Sequence, residues 1–224
     1  MMYIHQVLCN IVFTYLEFID KHTFKRICKY TNKIEIIDLY DIDHKHLKIL
    51  NDDILLNYKS VRRLDACSNY NITNVKHMTE LKELIASFEC GISDNGIENI
   101  NLEKLNCECN PNITNVNHMT NLKELNASMC FLDDPGGKGG YGIDDNGIKN
   151  INLEKLYVSY NHKITNVNHM TKLKILDASC GCGIDDDGIE DLNLEYLNAV
   201  ANPKITSENH MTNLKGSIKY MLNR

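Results

Sequence analysis

The 224-residue chain has no tryptophan, three prolines and five phenylalanines. So little proline excludes a proline-rich linker or polyproline module. No stretch approaches the ~18 consecutive apolar residues of a membrane span. A basic stripe is also missing: the net charge is −6 and the pI is near 5.8. That argues against a dedicated nucleic-acid binder, which carries such a stripe. The opening MMYIHQVLCN has no positive segment followed by a clean apolar run and a small-residue cleavage site. The expected location is therefore the cytoplasm, with the nucleus as the other reducing choice. The nine cysteines are expected as free thiols there. No nucleophile–base pair or carboxylate pair stands out, so no catalytic residue, cofactor or metal is expected.

What the chain has instead is repetition. ITNVKHMTELKELIAS (72–87) returns as ITNVNHMTNLKELNAS (113–128), ITNVNHMTKLKILDAS (164–179) and ITSENHMTNLKGS (205–217). Ile72, Ile113, Ile164 and Ile205 are 41, 51 and 41 residues apart, the 51 being a 41 with a ten-residue insertion near 130–142. Each 41-residue module holds two similar halves. One carries LxxLxA, as in Leu122, Leu125 and Ala127. The other carries LxxLx-apolar-xxNxxI, as in Leu153, Leu156, Val158, Asn161 and Ile164. The alternation inside LxA is that of a short strand. One such unit cannot bury its apolar side alone, so successive units must stack and share a core. With 20–21 residues per unit there is no room for a long helix on the far side. Ile113, Val116, Met119, Leu122 and Leu125 recur every three residues, which suits 3₁₀ or extended turns, or at most a short helix. GIDDNGI (142–148) has a turn composition.

This pattern resembles the leucine-rich-repeat family, whose LxxLxLxxNxxI is met nearly letter for letter over about 61–215. The resemblance implies an α/β solenoid: a horseshoe or arc with a parallel sheet on its concave face and short 3₁₀ or turn-like convex segments. Residues 34–60 read as a transition with a first degenerate repeat, 61–215 as seven repeats, and 216–224 as a C-terminal cap. Residues 1–33 do not fit the repeat. Ile4, Val7, Leu8, Ile11, Val12, Tyr15 and Leu16 have helical spacing. As residues alone they suit a helical cap over the first repeat. VLCNIVFTYLEFIDKHTFKRICKYTN (7–32) also resembles an F-box. That resemblance implies a substrate-recruiting adaptor of a cullin-RING (SCF-type) ubiquitin ligase. Ile11, Phe13, Tyr15 and Leu16 would dock on its Skp-type adaptor, and the repeats would hold an unknown target protein. The other reading is a stand-alone repeat module that binds a protein partner. Heavy use of asparagine, isoleucine and lysine fits an AT-rich genome such as a giant virus or protist.

Several tempting sites fail on spacing. His77, His118, His169 and His210 share one register. Neighbouring copies lie two strands apart, about 10 Å, too far to share a metal at ~2 Å bonds. Cys107 sits where Val158 and Ala199 stand in other units, so it reads as a core residue rather than a zinc ligand. The acidic turns lack the glutamate that a calcium loop needs at its last position. PGGKGG (135–140) lacks the ending of a phosphate loop and reads as a surface excursion. Outward strand positions alternate in charge through Arg63, Glu83, Lys104, Glu124 and Lys155, then turn apolar. Tyr157, Ile175, Tyr196, Asn198 and Val200 are the expected partner-binding residues on the concave face.

Overall fold

The structure is a computed structural model that describes residues 38–39, 48–130 and 142–218. Among the described residues, nine short strands follow one another in chain order and form one parallel sheet. They are β1 (Asp38–Leu39), β2 (Arg63–Asp65), β3 (Glu83–Ile85), β4 (Lys104–Asn106), β5 (Glu124–Asn126), β6 (Lys155–Tyr157), β7 (Ile175–Asp177), β8 (Tyr196–Asn198) and β9 (Gly216–Ile218). Each strand pairs with the next without a crossover, so the chain winds as a solenoid of repeats. The leucine ladder Leu64, Leu84, Leu105, Leu125, Leu156, Leu176 and Leu197 is in register through the whole stack. All seven are buried, and Ile72, Val75, Met78 and Leu81 with their repeated equivalents complete one continuous core.

The convex side alternates between two kinds of turn. After β2, β4 and β6 the ITNVxHM segment, and after β8 its variant ITSENHM (205–211), runs in successive turns spaced three residues apart. Met119 N–H donates to Val116 O and Leu122 N–H to Met119 O, each at 3.0 Å. The period of three expected there is what forms. After β3 and β5 comes a single helical turn, α2 (Asp94–Ile97) and α3 (Asp145–Ile148). A 3₁₀ turn, Asp187–Ile189, takes the same place after β7, and α1 (Asp52–Leu55) follows β1. The GIDDNGI segment is thus one turn of helix rather than an irregular turn. The reason is local: Asp144 caps α3 by accepting from Gly147 N–H at 2.9 Å.

Polar side chains stitch each unit to its neighbour. Asp94 in α2 accepts from Thr114 N–H at 2.7 Å, Thr114 Oγ1 at 2.6 Å and Asn115 N–H at 3.1 Å. Asp52 with Thr73, Asp145 with Thr165 and Asp186 with Thr206 repeat the clamp. The repeated asparagine does the same inside the core. Asn161 Nδ2 donates to Ala127 O at 3.0 Å and Ile143 O at 3.1 Å, while its Oδ1 accepts from Lys163 N–H at 3.0 Å. Buried backbone carbonyls with no ladder partner need such donors.

β1 and α1, both within the stretch 34–60 read as a transition with a first degenerate repeat, belong to the same stack, and β1 pairs in parallel with β2. At the other end Gly216–Ile218 extends the sheet as β9 instead of covering it. The remaining expected cap, 219–224, and the F-box-like 1–33 lie outside the described residues.

Candidate interaction surface

The outer face of the sheet presents two columns of side chains. The first runs Arg63, Glu83, Lys104, Glu124, Lys155, Ile175, Tyr196 and Gly216 across consecutive strands. Lys104 Nζ lies 3.2 Å from Glu83 and Lys155 Nζ lies 3.1 Å from Glu124. The hydrogen bond to Glu124 raises the Lys155 pKa above its ordinary value. These exposed pairs contribute little each, but they neutralise the floor of the groove.

The second column carries a run of side-chain turns. Asp65, Asn106, Asn126, Asp177 and Asn198 each accept through Oδ1 from the backbone N–H two residues on. Asn198 Nδ2 also donates to Asp177 Oδ2 at 2.9 Å. Asn198, expected to meet a partner, is therefore already engaged on both sides of its amide. Ile85 and Tyr157 interrupt this column and flank a groove of about 340 Å³ with Glu83, Lys104, Asn106, Glu124 and Asn126.

The apolar cluster expected at the C-terminal end is brought together. Ile175 pairs laterally with Tyr196, and Asp177 and Asn198 stand between Tyr157 and Ile218. Tyr196 is 47% exposed. Its ring lies over Gly216, where an added Cβ would meet Cδ1 at 3.2 Å. Val200 is half-buried at the end of β8. Ile218, 51% exposed on β9, joins the cluster. It was invisible in the sequence because 216–224 reads as a cap and not as a ninth strand. The candidate docking residues Ile11, Phe13, Tyr15 and Leu16 fall outside the described residues.

The repeated histidines have a plain role. His77 Nε2–H donates to Leu55 O at 2.9 Å and His118 to Ile97 O at 3.0 Å. His169 and His210 reach Ile148 O and Ile189 O, both at 3.2 Å. Each ring adds a second donor to a carbonyl in the helical turn of the unit before, which already accepts from the backbone N–H three residues on, and so ties the two units together. Cys107 is buried, and its Sγ–H reaches Asn126 O at 3.3 Å. Burial pushes the Cys107 thiol up to about 12, as it does for Cys90.

The expectation that the thiols are free needs a correction. Cys109 and Cys130 form a disulfide between neighbouring units. Their separation of 21 residues is one unit, and stacking brings the Cα atoms to 5.3 Å, inside the range a disulfide spans. The bridge sits at the root of the insertion. There Gly142 N–H bonds to Pro111 O, whereas Gly91 and Gly183 bond to Asn69 O and Asn161 O. A mainly apolar cavity of about 230 Å³ lies at this joint, lined by Cys107, Ile113, Met129 and Ile143 among others.

A rim of turns follows the strands at their C-terminal ends. Ser68, Phe88, Cys109, Tyr160, Cys180 and Ala201 hold the same left-handed conformation there, with φ between 53° and 59°. Phe88 and Tyr160 are exposed, as is the nearby Tyr70. Sequence reasoning missed this rim. The available signal is the residue four places after each second leucine, which is small in most units but aromatic at Phe88 and Tyr160.

No protein-family model matches this chain, and no curated protein sequence matches it.

Proposed function

We propose that this is a leucine-rich-repeat protein that performs no chemistry and recruits a target protein to a cullin-RING (SCF-type) ubiquitin ligase. The observation that carries the binding half is the outward side-chain set at one end of the parallel sheet, the exposed Tyr196 and Ile218 with the half-buried Tyr157 and Ile175. Exposed aromatic and aliphatic anchors on an ordered scaffold are what protein interfaces use. The scaffold's own polar groups support the same reading, because stitches between units occupy most of them. The adaptor half rests on the resemblance of residues 7–32 to an F-box. In it Ile11, Phe13, Tyr15 and Leu16 would insert into a Skp-type adaptor, and the ligase would act on whatever the repeats hold.

No described helix is long and apolar enough to cross a membrane. The test is retention of a purified Skp-type adaptor on the immobilised full-length protein. Wild type is expected to retain it, and Ile11→Asp with Leu16→Asp to lose it while keeping its thermal unfolding midpoint. Folded wild type that retains no adaptor would sink the ligase reading and leave a stand-alone repeat module.

A further inference from the structure

The rim of turns at the C-terminal ends of the strands makes a second surface, distinct from the concave floor. Phe88 stands in a left-handed conformation, φ 56°, and is 42% exposed. A non-glycine residue there is strained, and asparagine or glycine would fit better. Other units place small residues such as Ser68 and Ala201 at this position. The fold therefore does not ask for a phenylalanine, and solvent does not reward one. Residues held in unfavourable backbone regions against local preference concentrate at functional sites.

The surroundings of Phe88 specify the chemistry. Glu89 follows it directly and is exposed. Glu108 adjoins it in the next unit, since Phe88 N–H donates to Glu108 O at 2.8 Å. Among the described residues neither carboxylate has a lysine or arginine partner. One oxygen of Glu108 accepts from Asn126 Nδ2 at 3.3 Å, which leaves its charge uncompensated. Tyr70 belongs to the same rim one unit earlier. Its carbonyl comes within 2.5 Å of where a Cβ on Gly91 would be, three residues after Phe88, and it is 72% exposed. An exposed aromatic residue whose neighbours along the chain and across the stack are unpaired carboxylates is complementary to a cation. The planar guanidinium suits it best, because it stacks on rings and is more weakly hydrated than an ammonium.

We propose that the Phe88 rim, with Glu89, Glu108 and Tyr70, binds an arginine-bearing segment of a partner protein. This deepens the reading of the repeats as a protein-binding scaffold by naming a place and a side-chain class. It does not depend on the adaptor.

The probe is an acetylated, amidated Gly-Arg-Gly-Arg-Gly-Arg-Gly peptide titrated into the full chain at low salt by calorimetry. The same peptide with lysine, and with glutamine, serves as comparison. Wild type is expected to bind the arginine peptide more tightly than the lysine one and to ignore the glutamine one. Phe88→Asn is expected to weaken arginine-peptide binding about threefold or more, as is Glu89→Gln with Glu108→Gln. Asparagine tolerates the left-handed turn, so the thermal midpoint of Phe88→Asn should be no lower than that of wild type, which separates lost binding from lost fold. Three outcomes would each overturn the proposal: wild type failing to bind at millimolar peptide, Phe88→Asn binding as well as wild type, or the glutamine peptide binding equally. Failure here with adaptor retention intact would remove the rim and leave the proposed ligase role standing.

Discussion

At the scale of single residues, the constant letters of the repeat are accounted for by bonds rather than by chemistry on a substrate. Asn161, Asp94 and His118 each reach a neighbouring unit; losing Asn161 or Asp94 removes partners from backbone groups there, whereas losing His118 removes a tie to Ile97 O, which keeps its bond from Ile100 N–H. Cysteine has a parallel role as a small core residue. Burial raises the thiols of Cys90 and Cys107 to about 12 and that of Cys182 to about 11, from an ordinary 9.0. Below pH 9 folded and unfolded chains both keep these protons, so the contribution of the thiols to stability is fully present. Above it the unfolded chain releases them first, and that contribution is lost as pH climbs towards the folded values. The urea midpoint should therefore fall above pH 9, with a slope of up to about 1.4 kcal/mol per pH unit for each thiol. Replacing all three cysteines by alanine should flatten that slope relative to wild type. An unchanged pH profile would show that the thiols do not couple to folding.

At the scale of elements, the glycines of the turns after β3, β5 and β7 mark the tightest approach in the stack. A Cβ on Gly147 would lie 2.1 Å from Thr114 O, and Gly96 and Gly188 repeat the approach at 2.2 Å. The carbonyl of Gly147 also receives Val116 N–H at 3.0 Å, so the two convex segments cannot slide apart without losing a bond. Gly147→Ala should cost about 2–3 kcal/mol from overpacking, read as a lower denaturant midpoint in chemical unfolding. Gly142 stands in open space. Its left-handed φ of 73° makes alanine mildly unfavourable there, so Gly142→Ala should cost less than Gly147→Ala. A reversed order would contradict the packing described. The strands, their register and the three-residue spacing of the convex turns were legible in the sequence because a period of two and a period of three are written in apolar residues. The helical turns were not, because four residues of Asp-Asn-Gly-Ile carry no apolar period and their helicity comes from the cap and from the neighbouring unit.

At the scale of the whole molecule, the fold is a chain of two-unit modules in which unlike turns always touch. Deleting 155–195, which takes Lys155 to its equivalent Tyr196, removes one 41-residue module and keeps every kind of contact. Deleting 155–174 removes a single unit and sets helical turn against helical turn, which abolishes the aspartate clamp and the glycine approach at that joint. The first variant should unfold in one cooperative step. The second should unfold earlier or in two steps, as followed by circular dichroism in urea. Equal behaviour would show that the units are interchangeable. The expected binding residues were legible as outward positions once the register was known. Their engagement was not: that Asn198 is tied to Asp177, or that Cys109 meets Cys130, depends on which side chains stacking places together, and one-dimensional spacing does not say.

The histidine contacts turn the stack into an instrument for watching itself. Every module carries one imidazole locked in the same tautomer, since the acceptor is a carbonyl and Nε2 must hold the proton. Four such rings spaced along the solenoid give four separate nitrogen signals. Each stays in its bonded position only while its own module and the one before it remain docked. Local fraying, a parting at the insertion or tightening around a bound partner would therefore be written in which of the four signals moves.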